Sequence, residues 1–85
     1  MSCIQIRVLF FAAAKDKVGC DHLELKMKVS SCLSDLMNQL WQNYPQLVPL
    51  KPYLRWAINH HFEEDKQREL NHGDEVALIP PISGG

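Results

Sequence analysis

The sequence carries almost no net charge, few cysteines and no long apolar run. Nine Lys and Arg stand against ten Asp and Glu in 85 residues, leaving a formal charge of −1. A protein held to nucleic acid by phosphate neutralisation needs a concentrated positive field, so this balance argues against a nucleic-acid partner. No apolar stretch approaches the ~20 residues that a bilayer-spanning helix requires, which argues against a membrane one. Met1-Ser2-Cys3 lacks the charged-then-apolar pattern of a secretory leader, and the expected location is cytoplasmic. The three cysteines, Cys3, Cys20 and Cys32, cannot all pair, and no C-x-x-C occurs. They read as free thiols in a reducing compartment. His60 and His61 are adjacent, so on a strand they point to opposite faces and cannot share one ion. No metal site is expected.

What the chain does have is apolar side chain: 46% of its residues. At this length they serve one domain, which hides only about 60% of the surface its unfolded chain exposes. Residues 3–11 alternate, with Ile4, Ile6, Val8 and Phe10 on one face and Gln5, Arg7, Leu9 and Phe11 on the other. Residues 12–19 make a connection with a helical turn, closed by Gly19. Over residues 20–29, Leu23, Leu25, Met27 and Val29 alternate with His22, Glu24, Lys26 and Lys28, the pattern of a half-buried antiparallel strand. Ser30-Ser31 offers a helix N-cap, with Asp35 near the positive end of the helix dipole. Leu33, Leu36, Met37, Leu40, Trp41 and Tyr44 then form one helical stripe, bounded by Pro45.

Pro45, Pro49 and Pro52 predict a constrained loop with a short helical turn. After it, residues 53–58 read as a strand with Leu54, Trp56 and Ile58 on one parity. A polar turn flanks a short strand around Phe62, Asn71-His72-Gly73-Asp74 is a second turn, and residues 75–79 form the last strand. Two early strands joined by a short connection suit an antiparallel hairpin, and a single apolar helix stripe needs a sheet to lie on. The expected fold is α+β: a β-grasp, ubiquitin-like mixed sheet packed on one main helix. The domain is expected over residues 1–79, followed by an extended, flexible tail over 80–85.

That tail reads Pro80-Pro81-Ile82-Ser83-Gly84-Gly85. Neither proline can donate to a ladder, so the pair ends the sheet and stiffens the exit. Gly84 and Gly85 lack side chains, which lets the backbone thread a channel too narrow for a Cβ. Extended over four to six residues, such an arm carries its end on the order of 15–20 Å from the fold. A bare Gly-Gly is often a frayed terminus. Here the preceding Pro-Pro-Ile-Ser and the direct takeoff from a strand favour a carrier arm.

The ending G-D-E-V-A-x-I-P-P-x-S-G-G at residues 73–85 resembles the small subunit of molybdopterin synthase, the MoaD family of ubiquitin-like sulfur carriers. Residues 6–12 resemble that family's V-L-F-F-A strand and residues 57–59 its A-V-N. The segment His60-His61-Phe62-Glu63-Glu64 departs by being more charged, and Cys32 falls where the family has a capping Thr, so that Ser31 serves instead or the helix start shifts by one. The resemblance implies a sulfur carrier in molybdenum cofactor biosynthesis. Gly85 would be adenylated by an ATP-dependent, ubiquitin-activating-type adenylyltransferase, converted to a thiocarboxylate (1-thioglycine), and would donate sulfur to cyclic pyranopterin monophosphate. It also implies a large synthase subunit as partner, in a heterotetramer of two small and two large chains, with Pro80, Pro81, Ile82, Ser83 and Gly84 threading into that partner. This chain would be the sulfur-donating subunit of a sulfurtransferase and not catalytic alone, with no bound cofactor; ATP is used by the activating partner.

Periodicity adds a surface. With Phe10 and Leu78 inward, Leu9, Phe11, Ala77 and Ile79 face away from the helix, and parallel pairing of the first and last strands would merge them into one apolar patch. Phe62 joins it by resemblance. Monomeric proteins seldom expose a large apolar patch without a partner, so these five residues are the candidate partner interface. Three alternatives stay open: a sulfur carrier for thiazole synthesis or tRNA thiolation, a ubiquitin-like modifier whose adenylated Gly85 is attacked by a lysine amine, and a passive adaptor that uses the patch alone.

Overall fold

Alternate residues of β1 (Cys3–Phe10) are buried because a strand sends successive side chains to opposite faces: Ile4, Ile6, Val8 and Phe10 point into the core. The structure, a computed structural model, describes residues 2–81. Of the expected tail, Ile82, Ser83, Gly84 and Gly85 lie outside the described residues. Pro80 is buried and Pro81 exposed, so by burial Pro80 belongs with the body of the fold.

Chain direction reverses after β1 through a helix, α1 (Ala12–Val18), longer than the single turn expected. Its end is set by Gly19 at φ 90, a left-handed conformation open to glycine, whose N–H donates to the Lys15 carbonyl. Strand β2 (His22–Lys28) then pairs antiparallel with β1, Ile6 opposite Leu25. Leu23 and Leu25 are half-buried and Met27 is buried. Val29, expected inward, is exposed, because β2 stops at Lys28 and the chain turns through Ser30 at φ 72.

The main helix, α2 (Leu33–Asn43), lays Leu33, Leu36, Met37 and Leu40 on the sheet. Trp41 and Tyr44 extend the stripe at its rim, where Trp41 meets Trp56 edge-on at 5.9 Å and Tyr44 meets Phe10 at 6.2 Å. The cap expected at Ser30-Ser31 falls instead on Cys32, whose N–H donates to the Asp35 carboxylate at 2.9 Å. A thiol is a poor replacement for a hydroxyl cap, and the orphan amides of the first turn find acceptors elsewhere. Leu33 donates to the Arg68 carbonyl at 2.9 Å and Ser34 to the Lys66 carbonyl at 2.8 Å. In return Leu70 donates to the Ser31 carbonyl at 2.8 Å and buries its own side chain in the core.

The proline-rich segment is a 3-10 helix over Pro45–Tyr53, more regular than a loop, which seats Leu47 in the core. Then follow β3 (Arg55–Ile58), β4 (His61–Phe62) and β5 (Glu75–Ile79). The sheet order is β2-β1-β5-β3-β4, with β1 and β5 parallel and all other pairs antiparallel. This is the expected β-grasp: a mixed sheet with the first and last strands at its centre and one main helix across its inner face. Among the described residues no helix is long and apolar enough to cross a membrane.

The hydrogen bond from the Cys32 N–H is the largest of the influences that hold the Asp35 carboxyl below the usual aspartate range. A depressed folded value means stability present at pH above the unfolded carboxyl range and lost as pH falls through the folded value. Asp35→Ala is therefore expected to melt at lower temperature than the parent at neutral pH. The gap should close as pH falls below about 4, where the unfolded aspartate also protonates; thermal melts followed by circular dichroism across that range check it.

Candidate functional site

The face of the sheet turned away from α2 is built by strand parity. Register places Leu9 beside Ala77, Ala77 beside Ala57, and Ala57 beside Phe62, so one row of side chains crosses β1, β5, β3 and β4. Small residues occupy the two middle strands and large ones the flanks. The row is therefore a shallow depression, with Phe11 and Ile79 on its lining and His60 and Glu75 at its margin. Phe11 and Phe62 are 46% and 55% exposed, and what sets them apart from scattered exposed residues is that they share one depression. Leu9 and Ile79 are half-buried; Ala77 and Ala57 are buried between their neighbours.

All five expected interface residues thus converge on one surface. Pro80 and Pro81 follow directly from its last strand, and residues 82–85 of the expected threading set lie outside the described residues. Four residues of the surface escaped the sequence reading: Ala57, Arg55, His60 and Glu75. The period-2 signal that placed Leu54, Trp56 and Ile58 inward also places Arg55 and Ala57 outward, so the information was present for both. Arg55 sits opposite Ile79 in the ladder, and its guanidinium carbon lies 3.8 Å from the centroid of the Phe62 ring. Such cation–π stacking contributes about 0.5–1 kcal/mol at an exposed site and orients the ring.

Charge is confined to the edges. Arg7 reaches Glu24 at 3.9 Å, and His60 Nε2 lies 3.6 Å from Glu75 Oε1. Where the row ends on β2, His22 Nδ1 meets Asp21 Oδ1 at 2.7 Å, and that hydrogen bond holds the Asp21 carboxyl below its ordinary value. Among the described residues no group of His, Cys, Asp and Glu is arranged to hold a metal ion. Cys3 and Cys20 are exposed and Cys32 is half-buried, all as free thiols.

A polar lock holds Phe62 in place. Asn59 and His60 both have positive φ, 51 and 73, which makes the two-residue link between Ile58 and His61 a type I′ turn. Asn59 is bound on three sides: its N–H donates to the Glu75 carbonyl at 2.8 Å, its Oδ1 accepts from the Glu75 N–H at 3.0 Å, and its Nδ2 donates to Asp74 at 2.9 Å. Asp74, the one charged side chain among the buried residues, also accepts from the Asn71 N–H at 2.8 Å. The carboxylate thus ties the β3–β4 hairpin to the turn that starts β5.

The sequence profile of the ThiS family matches residues 8–85. The molybdopterin synthase sulfur carrier subunit of Arabidopsis thaliana is 36% identical over 84 residues, spanning 99% of this chain and 86% of that relative. In structure the chain resembles Urm1 from Trypanosoma brucei, at 26% identity and TM-score 0.74 over the full length of both. It also resembles a chain of the complex of subunits 1 and 2 of molybdopterin-converting factor from Helicobacter pylori, at 24% identity and TM-score 0.75. That match covers 96% of this chain and all of that one.

Asp74→Ala would leave the Asn71 amide and the Asn59 side-chain amide without their acceptor. We expect it to destabilise the fold by about 1–3 kcal/mol, measured by urea unfolding.

Proposed function

The chain belongs to the ThiS family, and from that premise we propose that it is a sulfur carrier in molybdenum cofactor biosynthesis. The observation that carries this reading is the 36% identity to the Arabidopsis sulfur carrier subunit over 99% of the chain, a span that includes the whole outer face. In this reading the globular part is a docking plate and Gly85 the carried group. A bare carboxylate is a poor electrophile, because substitution would have to expel oxide. Attack of a Gly85 carboxylate oxygen on the α-phosphate of ATP, with loss of pyrophosphate, creates AMP as a good leaving group. A sulfide-level nucleophile then attacks the Gly85 acyl carbon and expels AMP to give the thiocarboxylate, which donates its sulfur to cyclic pyranopterin monophosphate while water returns the acyl group to a carboxylate. Proton transfers in that last step belong to the larger synthase subunit.

The outer face would serve two partners in turn: the adenylyltransferase and the large synthase subunit, the latter in a heterotetramer of two small and two large chains. Pro80, Pro81, Ile82, Ser83 and Gly84 would thread toward each partner's site from the end of β5. The Helicobacter complex supports a partner of this kind, since a chain of similar fold occurs there in a complex of two subunits. A second reading, a ubiquitin-like modifier, is favoured by the full-length similarity to Urm1. The adenylate is shared by both chemistries; they part only in whether sulfur or a lysine amine attacks it.

Mass spectrometry of the protein isolated from cells separates these readings. A species about 16 Da heavier at the C-terminal glycine, sulfur having replaced oxygen, supports the carrier. A branched lysine peptide supports the modifier, and neither product would leave an adaptor. Deleting Gly85 is expected to leave the fold intact and to remove all sulfur transfer. Phe11→Asp, at an exposed position, is expected to keep the parent's circular dichroism spectrum and to abolish binding to the large subunit; a variant that still binds normally would refute the docking face.

A further inference from the structure

We propose that Arg55, stacked on Phe62, decides which partner seats on the outer face and in which orientation, by meeting a carboxylate at the partner's rim. The inference rests on the reading of that face as a docking surface and adds to it the chemistry the partner must present. The chain has three arginines. Arg7 is paired with Glu24 and Arg68 with Glu63, whereas Arg55 has no carboxylate partner among the described residues. Its guanidinium carbon lies over the Phe62 ring, 3.8 Å from the centroid, on an exposed side chain. Stacking of this kind restrains the fork before binding, so less side-chain freedom is lost when a carboxylate docks.

Position makes this charge directional. Arg55 stands opposite Ile79, at the end of β5 from which the chain leaves the sheet. The opposite margin of the depression is acidic, at Glu75 beside His60. Glu75 and Ile79 are four steps apart along β5, about 13 Å between their backbones at ~3.3 Å per residue. With a Debye length of about 8 Å at physiological ionic strength, screening over such a backbone span weakens the influence of one margin at the other. A partner turned end for end would bring its carboxylate to Glu75 and leave Arg55 uncompensated. Like-charge contact at a rim disfavours the wrong seating and the wrong partner more than it strengthens the right one. On its other side Arg55 lines a cleft beside Phe62 in which Glu63 and Glu64 balance Arg55 and Lys66, so the site has no excess positive charge to favour a phosphate dianion over a single carboxylate.

The test is binding of the purified large synthase subunit to the full chain, followed by surface plasmon resonance at low and high salt. Arg55→Glu is expected to weaken binding about tenfold or more at low salt, mainly through the association rate, with the loss shrinking at high salt. Arg55→Lys keeps the charge but loses the planar fork and its stacking on Phe62, so it should bind more weakly than the parent and more tightly than Arg55→Glu, with the loss relative to the parent persisting at high salt. Arg55→Met keeps an unbranched stem against Phe62 without charge and should fall between Lys and Glu. Should Arg55→Glu fail to fold, as judged by its melting curve, the Lys and Met variants carry the same comparison. Binding by Arg55→Glu equal to the parent, while Phe11→Asp does not bind, would overturn the role of Arg55 and leave the docking face standing. Equal losses in Met, Lys and Glu that persist at high salt would also overturn it, since they report packing and not charge. If the parent itself binds no large subunit, the docking reading fails and this inference falls with it.

Discussion

Parallel pairing between β1 and β5 is the constraint from which the rest of this molecule follows. It joins the two ends of the fold, setting Val8 against Val76 and Phe10 against Leu78 on the inner face, and Leu9 against Ala77 on the outer. Strand side chains alternate with a period of two, so a slip of one residue would exchange the faces and drive Arg7 and Leu9 into the core. Burial of the inner set forbids that slip. The same burial therefore fixes which residues remain for the outer face, and that apolar face is a consequence of the core that lies behind it.

The outer face gains its shape from residue size. Alanines on the two middle strands, between Leu9 and Phe62, leave a depression that larger residues would fill. Its aromatic flank is supported from two sides: Arg55 stacks on the Phe62 ring, and the Asn59–Asp74 lock fixes the turn that precedes it. Both supports lie outside the core, and both bear on the angle at which Phe62 is presented. The desolvation cost of the buried Asp74 carboxylate is offset by the hydrogen bonds it accepts from the Asn71 N–H and the Asn59 side chain.

Local sequence and tertiary structure disagree at the start of α2, and the disagreement is instructive. Ser30 and Ser31 are better cap residues than Cys32, yet the helix begins after the cysteine. Beside the Cys32–Asp35 capping box, a pair of carbonyls from residues 66 and 68 accepts from the Ser34 and Leu33 amides, delivered by a segment that also inserts Leu70 into the core. Burying Leu70 and satisfying two helix amides in one move outweighs the benefit of a local cap, which is worth about 1 kcal/mol.

Much of the architecture was legible in the chain because it is written in periodicity. The alternation of Ile4, Ile6, Val8 and Phe10, the helical stripe from Leu33 to Tyr44, and the turn at Gly73 each concern neighbours a few residues apart, and each stands where the sequence placed it. The five apolar residues expected at a partner interface could be assigned to one face for the same reason. Hidden from the sequence were the cap of α2 by residues 66–68, the burial of Leu70, the Asn59–Asp74 lock, the alanine row and the stacking of Arg55 on Phe62. All of these join segments that no local period links, and their partners are chosen by which strands lie side by side. Pattern along a chain tells a residue which way to face; only the folded sheet tells it whom it meets there.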